Sequence, residues 1–254
     1  MHRPWNETLV DPTTAYILVV IFVATLIRST LGFGEALVAV PLLALRLPVT
    51  IAAPLAVLIS VLVAAVIVVQ DWRQIELRSA RWLILSSLLG IPLGLLLLAR
   101  TNDHVVKMIL GLIIVCFSAY SLAAKSRLHL KHDHPLWLLG SGFCSGILGG
   151  AYGMNGPPLA IYGSLRRWSP QQFRATLQGY FLAASVVGLL GYAWLGLWGP
   201  MVTKYFLLSL PGVLLAIIIG RALNNRLRDE GFFRFVYAGL FVIGAVLFVQ
   251  AFSN

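Results

Sequence analysis

Acidic residues are scarce in this chain of 254: Asp and Glu number 9 against 19 Lys and Arg, and the charged types together make up 11%. A soluble domain carries roughly 25% charged residues, so a soluble domain is excluded. Cysteine is nearly absent, with Cys116 and Cys144 alone and no C-x-x-C pair, which excludes a disulfide scaffold. No G-X-Y period marks a collagen-like chain, and no G-x-x-x-x-G-K-[ST] loop marks direct use of ATP. The serines lack a His and an Asp at membrane depth, which argues against an intramembrane hydrolase. A small-x-small cleavage site is missing as well. The first apolar run follows a segment carrying Glu7 and Asp11 and ends in Arg28-Ser29-Thr30, so it reads as a mature span.

What the chain has in quantity is apolar side chains, 59% of the total, and the class that remains is an all-α polytopic membrane protein. A bilayer core takes about 20 apolar residues in helix. Runs near that size occur at 13–31, 51–69, 82–98, 105–124, 136–150, 176–198, 201–219 and 232–252, giving about eight candidate spans. The net charge of +10 comes mostly from basic residues in the joints between these runs. There they anchor helix ends to headgroups and set orientation, so no nucleic acid is implied. Cys116 and Cys144 lie inside apolar runs and are expected as small core residues. The Lys125 to His134 joint holds His129, His132, Asp133 and His134; without a second cluster to supply further ligands it reads as a solvated basic loop, and no metal or other cofactor is called.

Two apolar stretches, 36–45 and 158–165, are too short to cross, and each follows a glycine break: Leu31-Gly32-Phe33-Gly34-Glu35 in one half and Gly149-Gly150-Ala151-Tyr152-Gly153-Met154-Asn155-Gly156-Pro157-Pro158 in the other. Laying Gly32 on Gly153 is an offset of 121, which brings Val38-Ala39-Val40 onto Leu159-Ala160-Ile161 and Arg46 onto Arg167. The chain therefore reads as two homologous four-helix repeats, 1–128 and 129–254, with glycine-broken first helices. An even number of crossings per half favours parallel copies; an uncounted crossing in the glycine region would invert them. Matched breaks in two halves point to a transporter site, because unwound backbone frees N–H and C=O groups for a ligand. The chain is expected to be non-helical over 31–36 and 149–158, with the two breaks within about 15 Å of one another near mid-membrane.

The run Leu148 to Leu159, followed by Phe173-Arg174-Ala175-Thr176, resembles the second-half signature of the TauE/SafE family of membrane transporters, and Gly32 to Leu43 resembles the first-half counterpart. The resemblance covers essentially the whole chain. It implies a transporter, not an enzyme, that exports sulfite, sulfonates or related sulfur-containing anions across a bacterial inner membrane. The first motif departs from the family's glycine triplet, since Glu35 and Ala36 take its later places.

Arg28, Glu35 and Arg174 are the ionisable residues near membrane depth, where a charge costs at least about 2.5 kcal/mol. Arg28 reads as a guanidinium fork for an oxyanion or as a snorkelling end residue. Glu35 reads as a proton carrier or as the structural partner of Arg28 or of freed N–H groups. Arg174 reads as an anion ligand, as the family's matching Arg implies, or as an interfacial anchor. Asn155 and Gln178 are neutral donors suited to an anion's oxygens. With Gly32, Gly34, Gly156 and Pro157 these make up the candidate substrate site. A charge moved through 100 mV is worth about 2.3 kcal/mol, so an anion leaving an inside-negative cell runs downhill; uptake would need coupling, for which Glu35 is the available carboxylate. Counted over eight spans, ten basic residues flank one face and eight the other, a difference too small for the positive-inside rule, with a lean to both termini outside. Competing readings are a non-transporting scaffold, an assembly factor or a membrane-embedded enzyme, and a homo-oligomer stays open.

Overall fold

A computed structural model describes residues 11–123, 135–166, 170–224 and 230–253. The His129 to His134 cluster and Arg167 lie outside these residues. Ten α-helices run through them: α1 (Pro12–Leu31), α2 (Glu35–Ala44), α3 (Val49–Asp71), α4 (Leu77–Arg100), α5 (Asp103–Ala123), α6 (Pro135–Tyr152), α7 (Gly156–Leu165), α8 (Pro170–Trp194), α9 (Pro200–Asn224) and α10 (Glu230–Ser253), with a 3-10 turn at Trp72–Gln74. Among the described residues there is no strand. Asp11 caps α1 by accepting from the Thr14 N–H, and Pro12 opens the helix where a missing N–H costs nothing.

Six helices, over 12–30, 49–70, 79–100, 103–123, 172–194 and 200–223, have the length and apolarity to cross a membrane, so the chain is a multi-pass membrane protein. Of the eight expected spans, 136–150 and 232–252 are not among these six. The first coincides with α6, whose glycines at 140, 142, 146, 149 and 150 dilute its hydropathy; the second coincides with α10. The run 176–198 also ends early: α8 stops at Trp194, because Gly196 turns the chain with a φ of +72°.

Helix directions follow from where glycines let backbones touch. Gly90 and Gly94 of α4 face Phe143 and Ile147 of α6, while Gly142, Gly146 and Gly150 face Leu83, Ser87 and Ile91, so α4 and α6 run parallel. Gly212 meets Phe22 and Gly220 meets Ser29, so α1 and α9 are parallel too. By contrast α5 and α10 are antiparallel, with Gly111 against Gly244 and Phe117 edge-on to Tyr237 at 5.9 Å. So are α3 and α8, with Ser60 3.3 Å from Ser185 and Ile75, four residues beyond the end of α3, packed on Gly179.

The breaks are tighter than expected. Leu31, Glu35 and Ala36 are helical, as are 149–152 and 156–158, leaving 32–34 and 153–155 outside helix. Gly32 and Gly34 (φ +87° and +98°) and Gly153 (φ +67°) occupy the left-handed region that an L side chain resists, so each chain reversal takes three residues. After the first break α2 folds back along α1: the Tyr16 hydroxyl donates to the Leu42 carbonyl at 2.6 Å, and the Arg46 guanidinium lies 4.5 Å from the Tyr16 ring centre. The α1–α2 hairpin thus brings the chain back to the end of the bundle at which α1 starts. There Val49, opening α3, donates to Asp103, opening α5, at 2.9 Å. In the second half α7 packs against α6, and because α6 runs parallel to α4 and α8 antiparallel to α3, α7 leads the chain back to the end at which α6 starts.

The outer faces are apolar, with Val19, Leu89 and Val249 each more than three-fifths exposed, as lipid contact requires. Cys116 and Cys144 lie on such faces and are exposed, not in the core. In a bilayer a small apolar side chain is as well solvated outside as inside, so the soluble-protein burial preference does not carry over.

Candidate functional site

Arg28 sits in the last turn of α1 and Glu35 in the first turn of α2, so the break between them closes an ion pair that a straight helix would hold on one face. Both are buried, at 2% and 3% exposure. The guanidinium donates to the Glu35 carboxylate, to the Ser60 hydroxyl of α3 at 2.7 Å and to the Gln178 amide oxygen of α8 at 2.8 Å, and it lies 5.2 Å from the centre of the Phe181 ring. Thr25 donates to the other carboxylate oxygen at 3.2 Å. Gln178 in turn donates to the Gly32 carbonyl at 2.6 Å, capping a backbone oxygen that the break leaves free. Arg28 Nε has no partner among the described residues.

The two breaks meet. Phe33 of the first lies against Gly156, which opens α7 directly after the second, 3.6 Å from where a β-carbon would stand, and edge-on to Phe173 of α8 at 5.9 Å. Between the breaks is a cavity lined by Arg28, Gly34, Glu35, Ala36, Leu37 and Ser60 from one half and by Gly153 to Pro157 and Phe181 from the other. Its interior of about 20 Å³ takes one water. Asn155 is 4% exposed; its side-chain oxygen lies over Gly149 and accepts no hydrogen bond among the described residues, while its carbonyl accepts from Ser145. Both short helices begin at this cavity. The α2 cap at Gly34 offers no side-chain acceptor, so the first N–H groups and the positive end of the helix dipole are left toward the breaks.

Of the expected site residues, Arg28, Gly34, Glu35, Asn155, Gly156 and Pro157 line the cavity. Gly32 and Gln178 stand one hydrogen bond behind it. Arg174 does not line it: its Cγ lies 2.9 Å from where a β-carbon on Gly32 would stand, so its stem braces the first break from outside. Sequence reasoning missed Thr25, Ser60, Phe181 and Ser185. Ser60 left a legible signal, as the lone hydroxyl in the apolar run 51–69, whereas nothing in the sequence distinguishes Phe181 from other aromatic core residues.

No solved structure gives a significant match to this chain. A relative from Cupriavidus necator, named "Probable sulfite/organosulfonate exporter TauE", is 27% identical over 183 residues, which is 72% of this chain and 70% of the relative. The sequence profile described as "Sulfite exporter TauE/SafE" matches residues 17–247. A multi-pass helical chain matched over that length belongs to the TauE/SafE family of membrane transporters, and it is a transporter, not an enzyme.

Proposed function

We propose that this protein is a secondary exporter of small oxyanions, sulfite or organosulfonates by the likeness to its relative, and that the cargo binds where the two breaks meet. The observation that carries this reading is the convergence of a buried guanidinium and the N-termini of two short helices on one cavity between the halves. Helix N-termini and an arginine fork suit an oxyanion in a low-dielectric site. Asn155, Gly34, Gly156 and Pro157 are the further contacts, with Gln178 and Arg174 holding the first break in shape. A void for one water is too small for a sulfonate, so loading requires the hairpins to part.

The helix directions support an inverted relation between the halves, in place of the parallel one that eight even crossings favoured. A re-entrant hairpin adds no net crossing, so each half crosses three times, an odd number. Exchanging the halves turns the parallel pair α1 and α9 into α6 and α4, which is also parallel, and returns the antiparallel pairs α3 with α8 and α5 with α10 to themselves. This layout also sorts the charges. By chain position Arg3, Arg46, Arg100, Lys107 and Lys204 flank the face that holds both termini. Arg73, Arg78, Arg81, Lys125, Arg127, Lys131, Arg166, Arg167, Arg174, Arg221, Arg226, Arg228 and Arg234 flank the other. Thirteen against five of the 19 basic residues favours an arrangement with the second face in the cytoplasm of a bacterial cell and both termini outside.

The test is flux in proteoliposomes loaded with sulfite, methanesulfonate, acetate or chloride. Saturable flux of the sulfur oxyanions, lost in Asn155→Ala with the protein still folded, is expected. No flux of any anion overturns the transporter site and leaves the fold as a scaffold.

A further inference from the structure

We propose that a proton is a second cargo, bound by Glu35 in place of Arg28 when the anion arrives, so that one proton travels with each monovalent anion. This rests on the oxyanion reading of the cavity. The guanidinium there is already occupied, because its NH1 donates to the Glu35 carboxylate. An anion taking that position breaks the Arg28–Glu35 bond and forms one from Arg28 to its own oxygen. Arg28 and Glu35 are the charged residues lining the cavity. The other polar groups facing the pair are neutral: Thr25 on its own hairpin, Ser60 on α3, Gln178 on α8 and Asn155 at the second break, with the Phe181 ring over the guanidinium. Arg174 is not among the residues that line the cavity, and its stem packs against Gly32.

The charge count then fixes the step. The empty site holds one cation and one anion and is neutral. An added anion beside an ionised Glu35 gives it a net negative charge away from water, which a low-dielectric site resists. A proton from the aqueous phase, taken up by the released carboxylate as its bond to Arg28 breaks, keeps the loaded site neutral. After release, Glu35 returns the proton to water and re-forms its bond to Arg28. The loaded and empty carriers then carry equal charge, and voltage does not bias the cycle. Direction follows the anion and proton gradients together, and export runs while the internal anion excess outweighs an inward proton gradient. That differs from the voltage-driven exit expected of a bare anion.

Methanesulfonate is the probe, because it stays a monoanion across the pH range, so any pH dependence belongs to the protein. In proteoliposomes, isotope exchange at equal pH reads the anion site. An imposed pH difference should concentrate labelled methanesulfonate on the alkaline side, approaching about tenfold per pH unit. A potassium diffusion potential at equal pH should not. Glu35→Gln should lose the pH-driven accumulation and make flux follow voltage, because the loaded site is then neutral and the empty one positive. Exchange that is present but concentrated by voltage in the wild type overturns the proton cargo and leaves the anion site standing. Absent exchange overturns both. The wild-type measurement decides even if Glu35→Gln does not fold.

Discussion

Arg28 is a full charge at 2% exposure, tied to three helices, and its removal should be felt as stability before it is felt as transport. Arg28→Ala strands Glu35, at a cost of about 3–5 kcal/mol, so loss of folded protein in detergent is expected. Changing both, Arg28→Met with Glu35→Met, should recover the fold while abolishing flux, because an apolar pair of similar volume removes the desolvation cost together with the anion ligand. A double variant less stable than Arg28→Ala would show the polar network to be worth more than the charges it shelters. Gly32 makes a second demand on the same turn. Gly32→Ala must adopt a φ of +87° and push the Arg174 stem, 2.9 Å from the new methyl, out of the way. The left-handed conformation alone costs a non-glycine residue about 1–2 kcal/mol, and a melting temperature lower than wild type is the expected reading.

At the scale of elements, the parallel contact of α4 with α6 divides glycines into two kinds. A methyl on Gly146 would stand 2.4 Å from the Ser87 carbonyl oxygen and 2.8 Å from its Cα, both backbone atoms that cannot step aside. Gly140, on the same helix, meets nothing within 4 Å. Gly146→Ala should destabilise by about 1–3 kcal/mol or part the two helices. Gly140→Ala should be neutral or stabilise by up to about 1 kcal/mol through helix propensity. Thermal unfolding of the two variants side by side checks the pair, and equal behaviour would mean the helices do not touch as described. The contrast also marks where sequence reading stops. The breaks were legible because glycine and proline interrupt hydropathy, and α2 and α7 because the apolar stretches 36–45 and 158–165 are too short to cross. Which glycine carries a neighbour's backbone depends on helix pairing, and hydropathy is silent about pairing. The same silence hid the direction of α2: a hairpin and a straight passage have the same composition, and only the contact of Tyr16 with Leu42 tells them apart.

For the molecule as a whole, the hairpins decide on which side of the membrane the middle of the chain lies. Four crossings per half put the end of α5 on the same side as the start of α1, and three put it opposite. In a background with Cys116 and Cys144 changed to serine, a cysteine at Ala123 should react with an impermeant maleimide from the cytoplasmic side and one at Asp11 from outside. Labelling of both from one side would restore the parallel arrangement. Three crossings per half would also account for the even count read from the sequence, where eight spans divide the basic residues ten against eight with Arg28 inside a span.

The pairing of α1 with α9 and of α6 with α4 has a consequence for biosynthesis. A ribosome releases the chain from one end, so α1 enters the membrane long before the helix it lies against exists. Arg28 waits for Gln178, 150 residues later, and Gly32 for the same side chain, 146 residues later. Until α8 arrives, the first hairpin must hold its ion pair without that support, and neither half is a finished folding unit. The nascent first half is therefore the stage most exposed to quality-control proteases. Two halves expressed as separate polypeptides should find one another only when made together, each rescuing the other from degradation.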